Sequence, residues 1–349
     1  MKIGHWLAGI AILYVLIFVA HALFLQKTVY GDGIYYFSWL RSVVVDRDIN
    51  FADEYSYFGV TAPATPSNIP GNKHPVGTPL FWFPWYAQAY MILGKSGYEL
   101  PYQLLVGSLS VLAALSGLIL LYRLLIRSFN LEASLLSVGS IALAGNLLFY
   151  GAVDPVNSHA VSFFAATVYL SLLYARHASP FAAGCALGFC ALVRLQDAAL
   201  ALLATPHIIG RRTVSVPFAV LFFTGAILVF APQLLAWQAL YTTARVSPYL
   251  AGGESFSSWP PQILGVMFSP ENGLFFWTPV TLFAAFGLFV WKNRLSIWFL
   301  GVFLAYITIV SSCSTWWQGR PIRAGCLSPC FPFSRLDFPP SIKHLLGSG

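Results

Sequence analysis

An aspartate set between two glycines, Gly31-Asp32-Gly33, with Tyr35 and Tyr36 close behind, is the first place along the chain where the parts for chemistry gather. Five acids, Asp32, Asp46, Asp48, Asp53 and Glu54, follow the first apolar run within one stretch. A carboxylate at the edge of an apolar region is partly desolvated, which readies it to take a hydroxyl proton. Asp32 lies about seven residues past that run, and its glycines allow a ligand to come close. A solvated Gly-Asp-Gly turn accounts for the same residues equally well. Asp46-Arg47-Asp48 is an Asp-x-Asp, a pattern that can hold a divalent ion but that also arises by chance or where a helix ends.

Further along, Asn72-Lys73-His74-Pro75-Val76-Gly77-Thr78-Pro79 puts a cation and an imidazole directly before an aromatic apolar segment. Lys73 there suits a phosphate at headgroup depth, or an anionic lipid. His74 reads as a polar interfacial residue rather than a base. Asp154 and His159 sit between two apolar runs, and Arg194, Gln196 and Asp197 sit between two short ones. Ionisable groups in such a setting are functional or paired, and an internal Arg194–Asp197 ion pair is the plain reading of the second cluster. Glu271, in Ser269-Pro270-Glu271-Asn272-Gly273, reads as solvated at a sharp re-entry turn.

The elements that must position these residues are membrane helices. The chain has 349 residues, 58% hydrophobic and 9% charged, with mean hydropathy +0.71, whereas soluble domains carry about 25% charged residues. That excludes an ordinary soluble enzyme. Net charge is +7, with basic residues scattered singly or in pairs, so no nucleic-acid arm stands out. The five cysteines show no Cys/His spacing for zinc and no disulfide framework. Apolar runs of spanning character fall at roughly 6–25, 103–122, 134–150, 158–174, a short pair 180–193 and 195–209, then 214–238, 274–291 and 295–313. The expected fold is therefore all-α and polytopic, with about nine transmembrane helices. The first run is read as an uncleaved anchor rather than a signal peptide.

The run 79–94 holds two prolines, several Trp and Tyr rings and Gln88, which suits a helix lying at the interface. If it does not cross and the N-terminus is cytoplasmic, Lys2, Arg123, Arg127, Arg176, Arg211, Arg212, Lys292 and Arg294 all fall on the cytoplasmic side. Nine of the twelve acids then face outward. Under that topology residues 27–102 and 241–273 form the two long outer loops, and any chemistry sits outside.

In order, one span, an acidic loop opening Gly31-Asp32-x-x-Tyr35-Tyr36, then Lys73-His74-Pro75-x-Gly77-Thr78-Pro79-Leu80 and an aromatic interfacial helix, the chain resembles the GT-C class of integral-membrane glycosyltransferases. Within that class it is most similar to bacterial relatives of protein O-mannosyltransferases and to the aminoarabinose transferases of lipid A. Phe268-Ser269-Pro270-x-x-Gly273-Leu274-Phe275-x-x-Thr278-Pro279 and Trp316-Trp317 add to the likeness, which covers residues 5–319. The resemblance implies an inverting transfer of a sugar from a polyprenyl-phosphate carrier to an acceptor hydroxyl of a glycan, lipid or protein. The reaction would lie outside the cytoplasm, at a bacterial inner membrane. It casts Asp32 as general base, with Lys73, Arg194 and Arg320 on the donor phosphate. Tyr35, Tyr36, His74, Asp154 and His159 would support the site or hold the acceptor. The cofactor expectation is at most a divalent metal ion, at Asp46 and Asp48.

Residues 1–317 are read as the membrane-embedded, GT-C-like domain. Residues 318–349 depart from the class, turning to Pro, Ser, Cys and Arg, and are read as a truncated or frame-shifted tail. Two other functions fit the residues: a secondary transporter or flippase using Asp154, Arg194 and Asp197, or an inactive remnant of the enzyme.

Overall fold

The computed structural model describes residues 3–209, 214–244, 261–271, 273–291 and 293–314. Among them there is no strand, and the chain is all-helical. The helices are α1 (Ile3–Leu25), α2 (Gly33–Arg41), α3 (Ala52–Phe58), α4 (Gly77–Leu93), α5 (Leu100–Leu125), α6 (Leu131–Ala144), α7 (Ser158–Leu173) and α8 (Pro180–Val193). A 3₁₀ helix (Leu195–Ala204) leads into α9 (Thr205–Ile208). Then come α10 (Val216–Tyr241), α11 (Ile263–Phe268), α12 (Leu274–Trp277), α13 (Val280–Val290) and α14 (Arg294–Ser311). Helices α1, α5, α10 and α14 are long and apolar enough to cross a membrane, while α6, α7, α8 and α13 are apolar but shorter.

Local signals start these helices as expected. Asn130, Asn157, Ser179 and Asn293 each cap a first turn through a side-chain oxygen, and Pro101, Pro180 and Pro217 stand where a helix needs no amide donor. Glycine contacts then give the directions of packing. Gly107 and Gly117 of α5 lie against Pro155 and Phe163 respectively, so α5 and α7 run parallel. Phe18 covers Gly107 and Tyr14 reaches Ala114, so α1 runs antiparallel to α5. Gly184 and Gly188 of α8 face Phe222 and Ala226 of α10, which makes those two helices parallel as well. A Cβ at Gly184 would fall 1.9 Å from the Phe222 oxygen, so the two backbones touch. Because α8 and α10 are parallel neighbours, the 3₁₀ helix and α9 between them must carry the chain back to the starting end. Ten residues of 3₁₀ helix are unusual, and at about 2.0 Å per residue they return farther than the same number in an α-helix.

Unequal lengths create the site. Helix α5 has 26 residues and α8 has 14, so at about 1.5 Å per residue they are about 39 Å and 21 Å long. With Gly107 level with Pro155, the residues of α5 before it rise about 10 Å beyond the turn that starts α7. The step between those helix ends is the recess, and α3 and α4 pack on α2 beside it, with α4 against both α5 and α8. Helix α4 starts beside Leu192 and Val193, where a Cβ on Gly77 would come within 2.5 Å of their backbone. It then climbs antiparallel to α5, with Trp82 Nε1 donating to Ser110 Oγ at 3.0 Å and Tyr102 OH to the Gly94 carbonyl at 2.5 Å.

Candidate active site

Asp32 occupies the N-cap of α2 without making a side-chain capping bond, and it is exposed. The next residue must be glycine, because a Cβ there would stand 2.3 Å from the Val156 carbonyl oxygen. That contact presses the first turn of α2 onto the turn 154–157. In that turn Asp154 is half-buried, and its Oδ1 finds no hydrogen-bond donor among the described residues. Burial pushes the Asp154 carboxyl up to about 7, and the negative charge of Asp32 pushes in the same direction. The two carboxylates, far apart in sequence, are electrostatic neighbours.

One turn along α2, Tyr35 and Tyr36 grip the next segment. Tyr35 stacks on His74 with centroids 4.9 Å apart, and Tyr36 meets the same ring edge-on at 4.9 Å. Trp39 Nε1 donates to the His74 carbonyl at 3.0 Å, and Asn72 Nδ2 donates to the Tyr35 carbonyl at 2.8 Å. His74 is thereby a buried strut, with its ring between two tyrosines. The strut presents Lys73 at a pocket of about 220 Å³, lined also by Tyr35, Tyr241 and the turn 61–66. A cation beside two tyrosines and two threonines suits a ligand that is both anionic and polyhydroxylated.

The segment continues to Val76, whose amide donates to Gln233 Oε1 of α10 at 2.9 Å, and then to Gly77 against the end of α8. Arg194 follows α8 directly. Its Nη1 lies 2.5 Å from His159 Nδ1 and 3.1 Å from Nε2, and the imidazole stacks on Tyr150 at 3.7 Å. No family model, curated protein or solved structure matches this chain. The site therefore stands on its own geometry.

Asp32, Tyr35, Tyr36, His74 and Asp154 come together around the start of α2, with Lys73 beside His74, while Arg194 and His159 form a separate pair that follows the end of α8 on which Gly77 packs. The Arg194–Asp197 ion pair does not form. Asp197 instead accepts from Ser162 Oγ at 2.6 Å and Tyr306 OH at 2.7 Å, tying α7 to α14. Asp46 pairs with Arg41, while Asp48 accepts from Ser42 Oγ at 2.8 Å and the Asn50 amide at 3.0 Å. Among the described residues no three His, Cys, Asp or Glu side chains gather in a way that could hold a metal ion. Arg320, Trp316 and Trp317 lie outside the described residues.

Sequence reasoning passed over one cluster. Arg41 donates to Glu54 Oε1 at 2.8 Å and to the Ser96 carbonyl at 2.9 Å, and its guanidinium lies 4.0 Å over the Tyr98 ring. Glu54 is fully buried, its Oε2 meets no donor among the described residues, and burial raises its carboxyl to about 7 despite Arg41. The signal was present: Phe37, Leu40 and Arg41 share one buried face of α2, and a charge on such a face demands a partner. This cluster braces the group α2, α3 and α4 beside the recess rather than lining it.

Proposed function

We propose that the chain is a polytopic membrane glycosyltransferase that moves a sugar from a polyprenyl-phosphate donor to an acceptor hydroxyl, with inversion, outside the cytoplasm. The observation that carries this reading is the pair of neighbouring carboxylates, Asp32 and Asp154, at the start of α2, whose next turn holds the segment that carries Lys73 to its pocket. Two carboxylates and a cation so placed match what such a transfer needs: a proton acceptor for the incoming hydroxyl and positive charge for the departing phosphate. The apolar helices below the recess supply the surroundings a polyprenyl tail requires, and the resemblance to the GT-C class agrees with this assignment.

In this reading the acceptor oxygen attacks the anomeric carbon from the face opposite the phosphate, and its proton passes to the Asp32 carboxylate. The electrons of the breaking carbon–oxygen bond go to the phosphate, which leaves on its polyprenol with Lys73 and Arg194 neutralising the new charge. Asp154, beside Asp32, adds a negative charge when it ionises, which favours the positive charge developing on the transferring sugar. Tyr35 and Tyr241 offer ring faces to a sugar in the pocket. Asp46 is paired with Arg41, and Asp48 accepts from Ser42. The nine-crossing topology belongs to the same proposal, with α2, α3 and α4 at the outer interface and the 3₁₀ return as one of the crossings.

The test is a transfer assay on purified protein in lipid bilayers, with radiolabelled sugar on polyprenyl phosphate and a pool of glycan, lipid and protein acceptors. Labelled product from wild type, together with a raised donor KM for Lys73→Met, supports the reading. Absence of product alongside solute uptake into sealed vesicles would replace it with the transporter.

A further inference from the structure

Arginines that are not exposed need an explanation for their charge. Among the described residues there are two, Arg41 and Arg194. Arg41 is neutralised by Asp46 and Glu54. Arg194 has no carboxylate within 4 Å among the described residues, and what holds it is neutral. His159 takes one proton of Nη1. The Gln196 amide, oriented by the network with its oxygen toward the guanidinium, accepts from Nη2 at 2.6 Å and from Nε at 2.9 Å. Asp197, the next carboxylate along the chain, is turned to Ser162 and Tyr306.

Counting donors shows what is left. A guanidinium has five N–H groups and cannot lose its proton in a protein. Gln196 uses the Nε proton and one on Nη2, and His159 uses one on Nη1. The two unused protons are one on each terminal nitrogen, which together form the end-on fork that binds a phosphate through two parallel hydrogen bonds. A half-buried cation hydrogen-bonded only by neutral acceptors, with Asp197 acting on it through space rather than by direct contact, has no carboxylate occupying the place of a ligand. His159 is in turn fixed by its stack on Tyr150, 3.7 Å away and 11° from parallel.

We propose that His159 and Gln196 are positioning residues that aim the free fork of Arg194 at a phosphate monoester or diester entering the recess. The inference rests on the reading above in taking that phosphate to be the carrier's. An imidazole and an amide serve because each accepts without bringing a negative charge that would compete with the ligand. A carboxylate in either place would pair with Arg194 and close the site.

The experiment measures binding of sugar-free polyprenyl phosphate to the full chain in lipid nanodiscs, with inorganic phosphate as a second arm. His159→Phe keeps a ring on Tyr150 but removes the acceptor, and should weaken polyprenyl phosphate about tenfold, the worth of one charge-assisted hydrogen bond. His159→Gln restores an acceptor and should recover most of that loss. Arg194→Lys keeps the charge but not the fork, and should lose at least as much as His159→Phe. In turnover donor KM should rise and kcat should fall, because Arg194 also meets the charge developing on the departing phosphate, and recovery of both by His159→Gln at an unchanged unfolding temperature is a pattern that mere destabilisation would not produce.

Wild type binding polyprenyl phosphate while His159→Phe and Arg194→Lys bind it equally well would overturn this inference and leave the proposed function standing. Wild type binding inorganic phosphate but not the lipid, with the same variant pattern, would keep the fork and overturn the carrier. Wild type binding neither would overturn both.

Discussion

Glu54 offers a prediction whose size follows from the structure. It is fully buried, and its carboxyl is raised from an ordinary 4.5 to about 7, with burial outweighing the help of Arg41. Between those values the folded chain holds a proton that the unfolded chain has released. Stability contributed by this group is therefore complete below about pH 4.5 and is lost as pH rises toward 7. At 1.36 kcal/mol per unit, the loss amounts to about 3 kcal/mol. Glu54→Gln keeps the shape and leaves an amide oxygen for Arg41, but carries no charge to desolvate. The variant should match wild type at pH 5 to within about 1 kcal/mol and exceed it by about 2–3 kcal/mol at pH 8. Thermal unfolding in detergent, followed by a thiol-reactive dye at Cys185 and Cys190, reads the difference. A gap between the two proteins that is the same at pH 5 and pH 8, or that favours wild type as pH rises, would refute the account of Glu54.

Two further outcomes are expected. Gly184→Ala places a methyl 1.9 Å from the Phe222 oxygen, so α8 and α10 must separate, and stability should fall by about 1–3 kcal/mol or more in the same unfolding assay. Transfer by wild type should rise between about pH 6 and pH 8, as Asp154 ionises and its charge favours positive charge developing on the transferring sugar, and Asp154→Asn should flatten that rise.

How much of this was legible in the sequence depends on range. The long spans α1, α5, α10 and α14 follow from apolar length and charge alone, since one helix in lipid satisfies its own backbone. The break at Arg194 was legible too, because three polar residues interrupt an apolar stretch. That 195–208 returns beside α8, largely as a 3₁₀ helix, was not, because it depends on α8 and α10 touching through Gly184 and Gly188. The recess needs the register of α5 against α7, which no local pattern encodes. Asp32, Lys73 and Asp154 were legible as polar groups at apolar boundaries, but the meeting of Asp32 with Asp154 depends on Gly33 against Val156, and the placing of Lys73 on the grip of Tyr35 and Tyr36 on His74. His74 was read as interfacial, and the structure makes it a strut between two tyrosines. Glycines that look like turn residues thus carry much of the site's long-range geometry.

The central claim is that Asp32 takes a proton from an acceptor hydroxyl as a sugar leaves a polyprenyl phosphate. The most direct measurement is the rate of labelled-sugar transfer by wild type and Asp32→Asn, reconstituted side by side and matched for folded protein. The account predicts transfer by wild type and a loss of at least about a hundredfold in kcat for the variant, with donor binding retained. Equal transfer by the two proteins would contradict it.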